Sequence, residues 1–377
     1  MATRHDGYIV TPAALWRGHV VIDGARIAAV EGRPVPDDAW RAGDAPLLLP
    51  GFIDLHVHGG GGADTMQGGT AIDTLARTHA RHGTTALLAT TMTAPREEIE
   101  AALHALAPAC RTRGKGAARV LGVHLEGPYI SAAKLGAQPD FAVAPSADAI
   151  LALHAIAPLR VVTLAPELPG ALEVIGALVA AGLRVQIGHS AADYDIACAA
   201  LRRGAAGFTH LFNAMSPLHQ RAPGVVGAAL AHAERAELIP DLLHVHPGAI
   251  RAALRAIPEL YCVTDSTAAA AMPDGDYTLG RHRVTKCLGG VRLADGTLAG
   301  STLTMDQALR NLVFALDLPL GEAAQRTATH AARWLGLQDR GVLAPGAWAD
   351  MLQLDAQLQL QRVWVEGEAI DDVAHGA

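Results

Sequence analysis

The feature of this chain that most restricts its fold is the placement of metal-binding side chains at, or just past, the ends of short apolar runs. The runs read as strands and are spread over more than half of the chain. The candidate metal ligands in such positions are His56, His58, Glu126, His189 and His210, and a sixth polar side chain, Asp265, ends another run. Functional groups gathered from the ends of several strands are typical of a (β/α)8 barrel. The sequence therefore predicts a barrel with a metal centre at one end.

Apolar runs alternate with helix-like stretches along the middle of the chain, which indicates a parallel sheet with crossover helices. The predicted strands are residues 52–57, 85–89, 120–125, 160–164, 184–187, 207–211, 238–245 and 260–263. The predicted helices include residues 71–82, 96–107, 172–181 and 196–203. Short apolar runs alone do not separate strands from buried helices, so the count of eight strands is a hypothesis.

The two ends of the chain carry another pattern, in which short β-runs are separated by turn residues. An Asp-Gly turn signal divides two such runs within residues 20–30, and two more lie within residues 351–365. We therefore predict an α/β protein, a (β/α)8 TIM barrel with a small β-sandwich domain built from both termini. The predicted boundaries are 1–49 and 342–377 for the sandwich and 50–341 for the barrel.

Charge and composition exclude several classes of partner. The net charge is −7, the sequence pI is about 6.2, and no run rich in Lys or Arg occurs, which argues against nucleic acid and anionic membranes. The N-terminus lacks the apolar core of a signal peptide, and no apolar run is long enough to span a membrane. The four cysteines are far apart, as expected for reduced thiols. We predict a cytoplasmic enzyme with a small-molecule substrate.

The candidate ligands are nitrogen and oxygen donors. Side chains two apart on a strand point the same way, so His56 and His58 can bind one ion together. Imidazole and carboxylate suit Zn²⁺, Fe²⁺, Mn²⁺ or Co²⁺, and we expect one or two such ions with zinc preferred. A divalent ion lowers the pKa of bound water from about 15.7 to about 7. Asp265 is predicted to take the proton of that water, with a helix N-cap as its alternative role.

Six segments of the chain carry a resemblance to known enzymes. They are Pro-Gly-Phe-Ile-Asp-Leu-His-Val-His-Gly at 50–59, His-Leu-Glu-Gly-Pro-Tyr-Ile-Ser at 124–131, Gly-His-Ser at 188–190, Thr-His-Leu-Phe-Asn-Ala-Met at 209–215, Val-Thr-Asp at 263–265 and Leu-Ala-Gly-Ser-Thr-Leu-Thr-Met at 298–305. They resemble the amidohydrolase superfamily and, more narrowly, the N-acetylglucosamine-6-phosphate deacetylase family. The segments at 124 and 209 are the specific ones, and the resemblance covers essentially the whole chain.

The resemblance implies a metal centre and a reaction. Glu126, His189 and His210 would hold the principal ion, while His56 and His58 would add a second one, bridged by Glu126. Many superfamily members use a carboxylated lysine on strand four as the bridge, but no lysine falls on that predicted strand. The implied reaction converts N-acetylglucosamine 6-phosphate to glucosamine 6-phosphate and acetate in a homodimer. The alternatives are another sugar phosphate, such as N-acetylgalactosamine 6-phosphate, or another amidohydrolase such as a D-amino-acid deacylase.

The resemblance also implies substrate-binding residues. Arg221 matches the phosphate-binding arginine of the family, and a guanidinium suits phosphate, although a surface loop arginine is the alternative. His244 matches a residue that contacts the substrate. The remaining matches are Ala137, Gln138, Asn213, Ala214, Leu298, Ala299 and Gly300.

Two positions depart from the family pattern. Gln138 stands where the better-known pattern has histidine, and Leu242 stands where it usually has glycine. Glutamine can donate a hydrogen bond but cannot carry charge. Gln138 would then be a neutral donor to the oxyanion formed from the scissile amide. Either departure could shift the sugar preference, for example from glucosamine to galactosamine.

Overall fold

Eight short parallel strands form a ring in the described part of the chain. The structure, a computed structural model, describes residues 2–374. In chain order the barrel strands are Phe52–Val57, Thr84–Thr91, Arg119–Glu126, Leu159–Leu164, Arg184–Ile187, Gly207–Phe208, Glu237–Leu238 and Tyr261–Cys262. The first six pair in parallel in chain order, and the seventh pairs in parallel with the eighth.

Backbone contacts close this ring at two seams. The backbone N–H of Leu211 donates to the carbonyl of Glu237 at 2.9 Å, which joins the sixth strand to the seventh. Val57 and Ser266 form a parallel bridge, which joins the first strand to the segment that follows the eighth. The predicted (β/α)8 barrel is confirmed.

Helices follow the strands and cover the outside of the barrel. The helices after the first seven strands are Ala71–Arg81, Arg96–Arg111, Ala147–Ile156, Ala171–Ala180, Tyr194–Arg202, Gly224–His232 and Pro247–Ala256. The first buries Ile72, Leu75 and Ala76, the i, i+3, i+4 spacing of a helix with one apolar face. The fifth begins where the side chain of Asp193 accepts the backbone N–H of Ile196.

The eighth strand is followed, after an insertion, by helical segments in which α and π turns alternate. Their bounds are Met305–Arg310, Asn311–Ala315, Leu320–Ala324, Gln325–Thr329 and His330–Leu335. None of the described helices combines the length and apolarity needed to cross a lipid bilayer.

Strands from both ends of the chain form one seven-stranded sheet. In spatial order they are Glu368–Ala369, Leu360–Val365, Met351–Leu354, Leu47–Pro50, Thr3–Val10, Leu15–Asp23 and Arg26–Pro34. The sheet curls until Arg26 pairs with Trp348. It encloses an apolar core that includes Ile9, Ile22, Leu48, Met351 and Trp364.

The prediction of a sheet-rich domain built from both termini is therefore confirmed, as a single sheet that curls over its own core. The domain boundaries at 49/50 and 341/342 remain a prediction. Residues 1 and 375–377 of the predicted ranges lie outside the described residues.

A small antiparallel sheet, which the sequence analysis did not predict, lies between the eighth strand and the next helix. Its strands are Gly275–Leu279, His282–Cys287 and Gly290–Arg292. The backbone N–H of Gly280 donates to the carboxylate of Asp64 at 3.0 Å, which ties this sheet to the loop after the first barrel strand. The insertion therefore borders the carboxyl end of the barrel, where the predicted centre lies.

Candidate active site

Three of the predicted ligands form one compact group at the carboxyl ends of the barrel strands. The Nε2 atoms of His189 and His210 lie 3.2 and 3.0 Å from Oε1 of Glu126. The two ring nitrogens are 3.0 Å from each other. These distances show that the three donor atoms converge on one point. All three residues are buried.

The other three predicted residues form a second group that adjoins the first. The Nε2 atoms of His56 and His58 are 3.2 Å apart, and Oδ1 of Asp265 lies 3.4 and 3.3 Å from them. Oε2 of Glu126 is 3.1 Å from Nε2 of His58. Oε1 of Glu126 also lies 3.5 Å from Nε2 of His56. Glu126 therefore contacts both groups, the arrangement predicted for a bridging carboxylate.

The chemistry of these donors fits divalent cations. Imidazole lone pairs that meet about 3 Å apart repel unless a cation lies between them, which is the geometry of shared coordination. Burial opposes charge on His58, yet hydrogen bonds that the His58 ring donates to the carboxylates of Asp265 and Glu126 raise the pKa of this imidazole to about 9. The cluster thus attracts positive charge. Both groups could hold an ion, and the donor types suit zinc and its neighbours rather than a sulfur-seeking metal.

Both carboxylates of the centre are held in the ionised state. Burial by itself raises the pKa of Glu126, but the surrounding imidazoles hold it well below its usual value. Burial likewise raises the pKa of Asp265, and the charges and hydrogen bonds of His56 and His58 lower it further than burial raises it. Asp265 borders the cavity described below, so it can accept a proton there. The next described α-helix begins only at Met305, which removes the helix-cap alternative for Asp265.

The backbone turns sharply at three of these residues. His189, His210 and Asp265 have positive φ values of 46°, 32° and 51°, and each follows a barrel strand closely. A non-glycine residue in this region costs about 1–3 kcal/mol and persists where surrounding contacts enforce it. The backbone N–H of Asp265 donates to the carbonyl of His56, and its carbonyl accepts from Ser301. These turns aim the three side chains at the common centre.

A cavity of about 220 Å³ opens beside the two groups. The predicted substrate-binding residues that line it are Ala137, Gln138, Asn213, Ala214, His244, Leu298 and Gly300. Lining residues that the sequence analysis missed are Met92, Gly136, Leu279 and Thr297. Larger cavities elsewhere, such as one of about 450 Å³ beside Cys198 and His232, are lined by none of the predicted site residues.

Two predicted substrate residues lie away from the cavity surface. Ala299 is fully buried and packs in a small apolar cluster with Met92 and Leu279, so only its neighbours Leu298 and Gly300 line the cavity. Arg221 is exposed on its loop and does not line the cavity. The backbone N–H of Arg221 donates to Nδ1 of His219 at 3.3 Å. The predicted contact of Arg221 with phosphate remains a prediction.

His244 and Gln138 are held by specific partners. Nδ1 of His244 lies 2.6 Å from the carboxylate of Asp241. Burial lowers the pKa of His244, but Asp241 raises it more, so the net shift favours a cation on the cavity wall. The amide of Gln138 accepts the backbone N–H of Thr93 at 2.7 Å and donates to Oε2 of Glu126 at 2.6 Å. Gln138 thus supports the metal ligand directly, and its role toward the substrate remains a prediction.

Glu237, a buried carboxylate on the seventh barrel strand, was not among the predicted site residues. Its Oε2 lies 2.9 Å from Nδ1 of His56. The signal was a single acidic residue inside the apolar run Ala236-Glu237-Leu238-Ile239, because a buried glutamate almost always has a partner.

Comparison with known proteins decides the family. The model of the amidohydrolase family matches residues 47–370. The chain belongs to this family. It is 43% identical over 358 residues to N-acetylgalactosamine-6-phosphate deacetylase of Escherichia coli O157:H7, covering 92% of this chain and 93% of the relative. It is 39% identical over 376 residues to N-acetylglucosamine-6-phosphate deacetylase of Vibrio furnissii. The alignment covers 95% of this chain and 92% of that relative.

Solved structures agree with this placement. A mutant N-acetyl-D-glucosamine-6-phosphate deacetylase of Mycobacterium smegmatis, in complex with N-acetyl-D-glucosamine-6-phosphate, has a TM-score of 0.90 at 34% identity and covers 98% of this chain and 99% of its own. N-acetylglucosamine-6-phosphate deacetylase of Thermotoga maritima has a TM-score of 0.88 at 33% identity. The match covers 98% of this chain and 99% of that chain. The predicted resemblance to the deacetylase family is confirmed, as is the prediction of an amidohydrolase enzyme. The amidohydrolase family is metal-dependent, which agrees with the two ligand groups.

Proposed function

We propose that this protein hydrolyses the N-acetyl group of N-acetylglucosamine 6-phosphate, giving glucosamine 6-phosphate and acetate. The observation that carries the proposal is the pair of ligand groups that share Glu126 at the base of a cavity. Seven of the nine predicted substrate residues line that cavity. The names of the relatives and the complex of the mycobacterial enzyme support an amino-sugar phosphate as the substrate.

Asp265 is proposed as the proton carrier of the reaction. Bound divalent ions supply Lewis acidity, which makes water a better nucleophile and polarises the acetyl carbonyl. Asp265, ionised at the cavity wall, takes a proton from the attacking water as the water oxygen bonds to the acetyl carbon. As the C–N bond breaks, Asp265 returns this proton to the leaving amine. Gln138 offers its second amide hydrogen as a donor to the oxyanion.

Two cationic side chains are proposed to bind the phosphate. His244 favours its charged form on the cavity wall, and Arg221 offers a guanidinium fork from the neighbouring loop. The phosphate is remote from the reacting amide, so its binding energy can serve to position the acetyl group.

We further propose zinc as the ion, with one or two per subunit, in a cytoplasmic homodimer. The imidazole and carboxylate donors support zinc over a sulfur-bound metal. Four free cysteines support a reducing compartment. The homodimer rests on the family resemblance alone.

N-acetylgalactosamine 6-phosphate is the second candidate substrate. It is favoured by the 43% identity to the E. coli enzyme of that name and by the departure at Gln138. A panel of both N-acetylated sugar 6-phosphates and their unphosphorylated forms, with metal content measured on the same sample, tests the proposal. We expect the highest kcat/KM on N-acetylglucosamine 6-phosphate. A preference for the galacto epimer would replace the substrate, and activity independent of phosphate would overturn the proposal.

A further inference from the structure

Beneath the two ligand groups, the barrel interior contains buried polar side chains that the proposed chemistry does not use. Glu237 is fully buried, and its Oε2 lies 2.9 Å from Nδ1 of His56. The same oxygen accepts the backbone N–H of His210 at 3.2 Å. The other oxygen, Oε1, accepts the hydroxyl of Tyr261 at 3.4 Å. Glu237 therefore contacts one predicted ligand from each group.

The contact with Glu237 determines which nitrogen of His56 is available to an ion. A carboxylate accepts hydrogen bonds, so Nδ1 of His56 carries the ring proton. Its Nε2 then has a lone pair that points away from Glu237 into the second group. That nitrogen lies 3.5 Å from Glu126 Oε1, 3.2 Å from His58 Nε2 and 3.4 Å from Asp265 Oδ1. A carboxylate partner also makes an imidazole a more basic ligand.

The four imidazoles of the centre differ in how they are oriented. Nδ1 of His189 lies 2.8 Å from the backbone carbonyl of Lys134. Nδ1 of His58 and Nδ1 of His210 are buried without a hydrogen-bond partner among the described residues. Each group thus has one imidazole whose Nδ1 atom is held by a hydrogen-bond partner outside the group. In the second group that imidazole is His56, and its partner is the side chain of Glu237.

A third ion at His56, His124 and Glu237 is a competing explanation, because their donor atoms also lie close together. Nδ1 of His124, however, donates to the carbonyl of Leu55 at 3.1 Å, and its Nε2 is hydrogen-bonded to the hydroxyl of Thr163 at 2.7 Å. Both ring nitrogens of His124 are therefore occupied. Orientation of His56 is the role that the contacts of Glu237 support.

We propose that Glu237 is a positioning residue that holds His56 as a ligand of the second ion, the ion predicted for His56 and His58. The inference rests on the proposed metal centre. In Glu237→Gln an amide oxygen can still accept from His56, but the negative charge is lost. Loss of such a partner typically lowers metal affinity about 10- to 100-fold. We expect this loss for the second ion, with the ion at Glu126, His189 and His210 unchanged.

Equilibrium dialysis against graded free Co²⁺, followed by metal analysis and the visible spectrum of the bound cobalt, measures the two occupancies without an activity assay. Glu237→Gln should need about 10- to 100-fold more Co²⁺ to fill the second position. Tyr261→Phe is the matched control, because it removes a hydrogen bond to the other oxygen of Glu237 and leaves the His56 contact in place. This control should bind both ions as the wild type does.

The variant His56→Ala separates failure of the inference from failure of the metal centre. If His56→Ala loses the second ion while Glu237→Gln binds both ions normally, the role of Glu237 is overturned and the centre stands. If His56→Ala binds as many ions as wild type with equal affinity, the second position does not exist and the inference falls with it. Equal weakening in Glu237→Gln and Tyr261→Phe would indicate general loosening of the buried layer and would also overturn it.

Glu237→Asp provides a second variant if Glu237→Gln does not fold, as judged by circular dichroism. It keeps the charge but withdraws the carboxylate from His56 by one methylene. We expect the second ion to bind more weakly and the first to bind normally. Unchanged binding of both ions in Glu237→Asp would overturn the inference as well.

Discussion

At the scale of single residues, Glu126 is a predicted ligand of the principal ion and the predicted bridge to the second ion. One oxygen faces His189 and His210, and the other faces His58. We expect Glu126→Ala to lose metal and to abolish deacetylase activity while the barrel stays folded. Metal analysis, an acetate-release assay and circular dichroism on one preparation would measure this. Glu173→Ala, which removes an exposed glutamate, is the control. Normal turnover with unchanged metal content in Glu126→Ala would refute the assignment.

Asp265 differs from Glu126 because its proposed task is proton transfer. Asparagine has nearly the same size as aspartate and keeps one oxygen near His56 and His58, but it cannot shuttle a proton. General acid–base catalysis contributes about 10²- to 10⁴-fold, so Asp265→Asn should lose that much in kcat. Metal analysis should find the ion at Glu126, His189 and His210 retained. A kcat within about threefold of wild type would contradict the role of Asp265.

The sequence correctly predicted which side chains meet at the metal centre, because each is a histidine or carboxylate at or just past the end of a predicted strand. The six metal-centre residues are together in the structure because parallel strands bring their carboxyl ends to one edge. Glu237 was missed because its partner, the far nitrogen of His56, lies 181 positions away in sequence. Arg221 shows the reverse case, since its motif matches a family pattern while its side chain is exposed. Sequence identifies a side chain, but the contact that orients it depends on packing.

At the scale of elements, the alternating pattern predicted the barrel well. The predicted strand at 184–187 has the same bounds in the structure, and the predicted helix at 71–82 forms as Ala71–Arg81. The predicted strands at 207–211 and 238–245 shorten to Gly207–Phe208 and Glu237–Leu238, because the chain turns early to aim loop residues at the centre.

The antiparallel sheet at 275–292 escaped prediction for a physical reason. In its first strand, Gly275–Leu279, only Leu279 is buried, so no run of apolar residues marks it. Its position still matters for function. Leu279, together with Thr297 and Leu298 just beyond the sheet, lines the cavity beside the metal centre.

The loop that carries Arg221 is the element proposed to bind phosphate. Removing a hydrogen bond to a charged group costs about 1.5–3 kcal/mol, which corresponds to about a 10- to 150-fold loss in kcat/KM. We expect Arg221→Ala to show this loss on the sugar phosphate and almost none on N-acetylglucosamine. Arg203→Ala, an exposed arginine on the helix side of the barrel, is the control. Equal losses on both substrates would mean that the loop supports the shape of the site instead.

At the scale of the whole molecule, an ionic cluster joins the terminal sheet to the barrel. Glu366, in the turn after the strand Leu360–Val365, accepts hydrogen bonds from Arg119 at the start of the third barrel strand, both at 2.8 Å. It also accepts from Arg113 at 3.2 Å and from Arg340. Arg113 also forms an ion pair with Glu368 of the terminal sheet. This cluster links two parts of the molecule that the sequence predicts only as separate domains.

Glu366 should therefore make stability depend on pH. Burial raises the pKa of Glu366, but the hydrogen bonds and charges of Arg119 and Arg340 outweigh burial and lower it from 4.5 to about 2. Because the folded-state pKa is depressed, the stabilisation is fully present above about pH 4.5 and is lost as pH falls towards 2. Glu366→Gln should lower the free energy of unfolding by about 1–3 kcal/mol at pH 7.

Urea unfolding of metal-free wild type and Glu366→Gln, from pH 7 down to pH 3, measures this contribution without interference from metal loss. The difference between the two proteins should be constant at neutral pH and should shrink below about pH 4.5, since protonated Glu366 interacts with the arginines much as glutamine does. Glu173→Gln, at a side chain that is 72% exposed, should leave the unfolding free energy nearly unchanged throughout. A difference that stays constant down to pH 3 would mean that Glu366 acts through packing rather than through its charge.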